Sequence, residues 1–112
     1  MSEAWSRIVG FPDYEISSVG RVRSWHKCGR RSAHRGLGRI LRPRKVHGYG
    51  YVVLVNRDNG ERRNLKISRL VLTAFVGPCP DRHEAAHLNG DRADDRIENL
   101  SWCTHVENCG HR

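Results

Sequence analysis

The chain has 112 residues and 38% hydrophobic content, enough for one compact domain and too little for two well-packed cores. Its formal net charge is +8 and its pI about 10.0, with the sign unevenly spread: positions 21 to 45 hold ten Lys/Arg and no acid, whereas positions 81 to 112 hold seven of the twelve acids and four basic residues. A basic block of this kind is the footprint of a polyanion partner, because Lys and Arg displace counterions condensed on phosphates; the plainer alternative is a solvated basic surface.

No apolar run approaches the roughly 18 residues of a membrane-spanning helix, and "MSEAWSRIVG" lacks the apolar core of a signal peptide. A soluble, intracellular protein with no membrane contact is expected. Cys28, Cys79, Cys103 and Cys109 are few and irregularly spaced, which favours free thiols over a disulfide framework.

In chain order, "FPDY" carries a Pro-Asp turn signal, and "YEISS" and "RVRSW" alternate as half-buried strands do, with a bend at Val19-Gly20. "HKCGRRSAHRGLGR" is rich in Gly and Arg and has no periodicity, so it reads as a mobile basic loop that orders against phosphate. Tyr49 to Val55 is β-branched and aromatic, Asp58-Asn59-Gly60 is a hairpin turn, and Glu61 to Ile67 is the returning strand. A short buried helix is expected at about residues 68–76, with Ser68 as N-cap and Gly77-Pro78 as its stop.

The last segment, "AAHLNGDRADDRIENLSWCTHVEN", changes character. "EAAHL" can form a strand, "NGD" a turn, "RADDRIE" a polar loop and "NLSWC" a second strand. Thr104 and Glu107 make the T-x-x-E pattern that opens a helix. His87 ends the first strand, Asn99 precedes the second and Asn108 falls on the helix. Leu100 and Trp102 share one strand face and read as core.

These residues, "HLNGD", "ENLSWCT" and "VEN", resemble the HNH endonuclease family, specifically its phage- and intron-associated branch. "WSRIVGFPDYEISSVGRVRSW" is similar to the module that often precedes such nucleases, and "RLVLTAF" to the helix between module and catalytic unit. The resemblance covers most of the chain and implies an α+β fold. Residues 1–78 would form a basic β-rich DNA-binding module of β-hairpins with the short helix, and residues 79–112 a ββα-metal catalytic unit. It also implies a phage or other mobile element as source, the cytoplasm of a bacterial host as location, and DNA ends with 5′ phosphate and 3′ hydroxyl. Monomer and homodimer both remain open.

The implied chemistry suits the residue types. His87 would be the general base, since imidazole titrates near neutral pH; Asn99 would orient the ring by a hydrogen bond; Asn108 would offer an amide oxygen to a divalent metal, Mg²⁺ or Mn²⁺. DNA contact is expected from Arg21, Arg23, Arg30, Arg31, Arg35, Arg39, Arg42, Arg44 and Lys45, extended by Arg62, Arg63 and Lys66 on the hairpin. The pattern departs from the family at Ala86, where a metal-ligating side chain commonly precedes the histidine. Asn108 alone would then hold the ion, unless Asn89 or Asp91 from the adjacent turn, the DNA phosphate and waters complete the shell. Ser68 likewise replaces a histidine usual in relatives. The alternative to an active nuclease is therefore a DNA-binding protein with a degenerate site. A structural Zn²⁺ is a further reading, from Cys79, His83 and His87 at C-x3-H-x3-H with Cys103, His105, Cys109 and His111 nearby, although paired C-x2-C knuckles are absent.

Overall fold

The computed structural model describes residues 3–24, 39–56 and 58–104. Strands β1 (Trp5–Ile8), β2 (Phe11–Ser17), β3 (Val22–Ser24) and β4 (Arg39–Ile40) form an antiparallel sheet in that order. The turn between β1 and β2 falls at Val9-Gly10, and Pro12-Asp13 lies inside β2. The expected Pro-Asp turn is thus a strand segment. The register jumps from Arg7 opposite Glu15 to Ile8 opposite Phe11, so Pro12, which has no N–H to give, sits in the irregularity where no ladder bond is required.

A second sheet contains β5 (Arg44–Val46), β6 (Tyr49–Val55) and β7 (Arg62–Lys66). The β6–β7 hairpin follows the sequence expectation, and in β6 every second residue, Gly50, Val52 and Leu54, is buried while the residues between them are half-buried. β4 and β5 were not expected, since the basic segment has no strand periodicity. β5 joins β6 through the two-residue turn His47-Gly48, in which both residues have positive φ. This is the combination whose twist matches the flanking strands.

Helix α1 (Ile67–Phe75) buries Ile67, Ser68, Val71 and Leu72 and leaves Arg69 and Thr73 outside. It packs against both N-terminal sheets and against the last hairpin, β8 (His83–His87) with β9 (Leu100–Thr104). Its apolar face therefore unites the core, where Ile16, Val22, Leu54, Ile67, Val71 and Leu72 are nearly or fully inaccessible. The N-cap is Lys66, with no side-chain cap bond. Ser68 lies one residue inside the helix, with its hydroxyl buried and without a partner. The hydrophobic contact of Ile67 starts the helix earlier than the cap pattern implied.

β8 and β9 pair from His83 opposite Thr104 to His87 opposite Leu100. The strand, turn, loop, strand order matches the expectation, with a 3-10 turn at Ile97–Asn99 before β9. Leu100 enters the core and Trp102 packs against it, its indole N–H donating to the Gly77 carbonyl at 3.0 Å. The expected helix after Thr104 lies outside the described residues. Mixed strands with one helix is the architecture of what is described, and none of its helices is long and apolar enough to cross a membrane.

Candidate functional site

His87 is the last residue of β8, and its side chain is 5% exposed. The ring Nε2 lies 2.7 Å from Oδ1 of Asp95, whose side chain is 8% exposed. A carboxylate can only accept, so the bond places the proton on Nε2 and leaves the lone pair of the neutral ring on Nδ1. Nδ1 has no hydrogen-bond partner among the described residues. The tilted ring of Tyr49, at a centroid distance of 5.8 Å, packs beside the imidazole.

Asp95 packs against Gly20, in the bend between β2 and β3, and against Gly50 of β6. Gly20 follows β2 in a bend shaped by Ser17, whose buried hydroxyl accepts from the N–H groups of Val19 (3.2 Å) and Arg21 (3.0 Å). A Cβ on Gly20 would stand 2.7 Å from Cβ of Asp95 and 3.1 Å from its carbonyl oxygen. A Cβ on Gly50 in β6 would stand 3.5 Å from Asp95 Oδ2 and 3.2 Å from Ile67. The N–H of Ile97 donates to the Ser18 carbonyl at 2.8 Å, fixing the same loop to the same bend.

Asn99 is buried near His87 but does not hold its ring. Its Oδ1 accepts the Asn89 N–H at 3.0 Å, and its Nδ2 donates to Asn89 Oδ1 and to the Asp94 carbonyl, both at 3.0 Å. The ring-orienting bond expected of Asn99 is made by Asp95 instead, because the 3-10 turn aims the Asn99 amide into the loop that leaves β8. Asp95 was missed as a site residue: in "RADDRIE" nothing distinguishes it from Asp94, which faces outward. Asp94 accepts two bonds of 2.8 Å from the Arg96 guanidinium and one from Asn89. The Arg96 contact foremost holds the Asp94 carboxyl down at about 2, and the same pairing raises Arg96.

The metal ligands implied by the sequence are not assembled by the described residues. Ala86 is 1% exposed and offers only a methyl group. Asn89 Oδ1 is occupied by Asn99 and by the Asp91 N–H, and one oxygen of Asp91 is taken by the Ala93 N–H. Among the described residues no three His, Cys, Asp or Glu side chains are placed to hold an ion, so these residues do not by themselves fit the divalent metal. Asn108 lies outside the described residues. The zinc set is not gathered either: the Cys79 thiol donates to the Pro80 and His83 carbonyls, His83 Nδ1 is bonded to the Asp81 carbonyl, and His87 is held by Asp95. His105, Cys109 and His111 lie outside the described residues.

The expected DNA-contacting residues separate by sheet face. Cross-strand neighbours share a face, so Arg44, Tyr51 and Lys66 stand in one row across β5, β6 and β7, with Arg62 and Tyr49 on the same side. Lys66 Nζ lies 4.1 Å from the centre of the Tyr49 ring, and Arg92, from the loop after β8, lies 5.0 Å from it. Arg92 also donates to the His47 carbonyl at 3.0 Å. Neither cation has a carboxylate partner among the described residues. Lys45 and Arg63 occupy the other face, Arg63 paired with Glu61 at 3.0 Å; Arg39 and Arg42 are exposed.

Arg21 and Arg23 depart from the expectation of free phosphate contacts. Arg21 is paired with Glu3, Arg23 donates to Glu15 at 2.7 Å, and both guanidinium groups stand near the Trp5 ring, at 5.8 and 4.0 Å. Each guanidinium thus has a carboxylate partner at the first sheet, with the Arg21 side chain 53% exposed and that of Arg23 22% exposed. Arg30, Arg31 and Arg35 lie outside the described residues.

With this geometry in place, comparisons with known proteins bear on both halves. Residues 65–109 match the HNH endonuclease model and residues 3–55 the NUMOD4 motif. Two uncharacterized HNH endonucleases of Acanthamoeba polyphaga mimivirus are 34% and 24% identical over 98% and 99% of the chain, which spans 26% and 30% of their lengths. A solved structure of the HNH homing endonuclease I-HmuI superposes with a TM-score of 0.77 at 23% identity, covering 96% of this chain and 56% of that one. The chain belongs to the HNH endonuclease family, with a NUMOD4 motif ahead of its nuclease-like part.

Proposed function

We propose that the chain is a DNA endonuclease unit in which residues 1–78 grip the duplex, residues 79–112 form a ββα catalytic unit, and His87 is the general base. The observation that carries this reading is the buried imidazole held at Nε2 by Asp95, with Nδ1 left to take a proton. A water gives its proton to Nδ1 while its oxygen forms a bond to phosphorus. The bond to the 3′ oxygen breaks, and that oxygen takes a proton from solvent, so the ends carry 5′ phosphate and 3′ hydroxyl. Asn99 serves the site through the loop it ties together rather than through the ring. For the divalent cation, Mg²⁺ or Mn²⁺, the reading names Asn108 as ligand, and the described residues add no other. I-HmuI binds and cleaves DNA, and the mimivirus relatives are viral; both support a DNA substrate and a viral or mobile-element source.

The Arg44, Arg62 and Lys66 face of the second sheet, with Arg92 and the two tyrosines, is the backbone-binding surface of this reading. A β-ribbon carrying cations on one face can follow a groove.

The test is nicking of supercoiled plasmid with Mg²⁺ or Mn²⁺, comparing wild type with His87→Ala. Cleavage by wild type and a loss of about 10²-fold or more in the variant is expected. The methyl group of Ala86 favours a second reading, a DNA-binding protein with a degenerate site. That reading predicts DNA binding by both proteins and cleavage by neither.

A further inference from the structure

We infer that Asp95 is the positioning residue for His87, and that the amino-terminal half of the chain completes the nuclease site by seating it. The inference rests on the nuclease reading for its catalytic consequence and on geometry alone for the seat.

Three observations converge. First, the His87–Asp95 bond is short and both side chains are buried, so water does not compete for it. A carboxylate there permits one neutral tautomer, with Nε2 protonated and Nδ1 free; an amide could accept from Nε2–H or, turned over, donate to Nε2 and move the ring proton to Nδ1. Second, Asp95 packs against both parts of the amino-terminal half: at the Gly20 bend a Cβ would stand only 2.7 Å from its own Cβ, and at Gly50 of β6 a Cβ would stand in ordinary contact with its Oδ2 at 3.5 Å. Third, the backbone bond from Ile97 to Ser18 ties the Asp95 loop to the Gly20 bend. The module before α1 is therefore part of the site as well as a surface for DNA. Removing it or shifting it would free the carboxylate that sets the ring.

The fold contains its own control. Gly10 and Gly20 both have φ of +87°, yet a Cβ on Gly10 meets nothing within 4 Å, whereas one on Gly20 collides with Asp95. An alanine at either position takes the same unfavourable positive φ, and only at Gly20 does its Cβ run into Asp95.

The experiment measures the wild type, Asp95→Asn, Gly20→Ala and Gly10→Ala as full chains, by ¹⁵N spectra of the His87 ring in its neutral form and by single-turnover cleavage with Mg²⁺ at saturating DNA. Expected are a Nε2–H ring in wild type and Gly10→Ala, mixed or Nδ1–H tautomers in Asp95→Asn and Gly20→Ala, and a cleavage rate lowered about 10-fold or more in those two with DNA affinity kept. Asp95→Asn is isosteric, so it remains informative should Gly20→Ala fail to fold. An unchanged tautomer and rate in Asp95→Asn would overturn the inference while leaving the nuclease reading standing. A wild type that never cuts would overturn the nuclease reading; the tautomer shift in Asp95→Asn would then still uphold the positioning, and its absence would overturn that too.

Discussion

The ring of Tyr49, on the cationic face of the second sheet, lies 5.8 Å from the ring of His87 at an interplanar angle of 44°. The surface proposed to bind DNA thus runs directly into the residue proposed to act on it, and Lys66 and Arg92 flank the join over the same tyrosine.

Lys66→Ala and Arg92→Ala should each weaken DNA binding several-fold regardless of sequence and lower the salt dependence of binding by about one unit of slope. Titration of a labelled duplex at several salt concentrations measures this. Arg23→Ala should leave the slope nearly unchanged, because its charge is committed to Glu15 and its plane to Trp5; its effect should appear in thermal stability. An equal loss of slope for Arg23→Ala would contradict the sorting of charges by face.

Asn99→Ala removes three hydrogen bonds and leaves the Asn89 N–H without its acceptor in the loop after β8. A loss of about 1–3 kcal/mol is expected in urea unfolding. The His87 tautomer should persist, since Asp95 holds the ring. A tautomer change in this variant with no loss of stability would restore Asn99 to the orienting role.

Asp94 has its pKa lowered from 3.8 to about 2 by Arg96. A depressed folded-state pKa stabilises the fold above the unfolded value, and that contribution disappears as pH falls through the folded value. Relative to Arg96→Met, wild type should keep a small constant stability advantage above about pH 5 that fades between about pH 4 and pH 2. Both groups are partly open to solvent, so the advantage is modest. Paired urea melts across that range would show it, and an advantage that grows on acidification would refute the assignment.

Leu72 is wholly buried in α1, where both N-terminal sheets and the last hairpin meet. Leu72→Ala should cost about 2–5 kcal/mol. A single unfolding transition, with tryptophan fluorescence and far-ultraviolet dichroism moving together, is expected, since α1 is shared by both halves.

The local elements were readable from particular residues. β-Branched and aromatic residues from Tyr49 to Val55 marked β6, Asp58-Asn59-Gly60 marked its turn, and Leu100 with Trp102 marked the inward face of β9. Three local signals were outcompeted by packing or pairing. Pro12-Asp13 was absorbed into β2 by a register irregularity. Ser68 was drawn into α1 because burying Ile67 starts the helix earlier. β4 and β5 acquired strand geometry from neighbours β3 and β6, without any alternation of their own.

The sequence by itself determined which polar residues fall in the last segment, the order in which they fall, and the family to which they point, because period and spacing are properties of neighbouring positions. Which residue serves which was decided only by tertiary structure. Asp95 and Asp94 are adjacent and chemically alike, yet one turns inward to His87 and the other outward to Arg96. What separates them is packing: Asp95 lies where the Gly20 bend and Gly50 of β6, some 75 and 45 positions earlier, come within contact distance of it, and at Gly20 a Cβ would collide with its own.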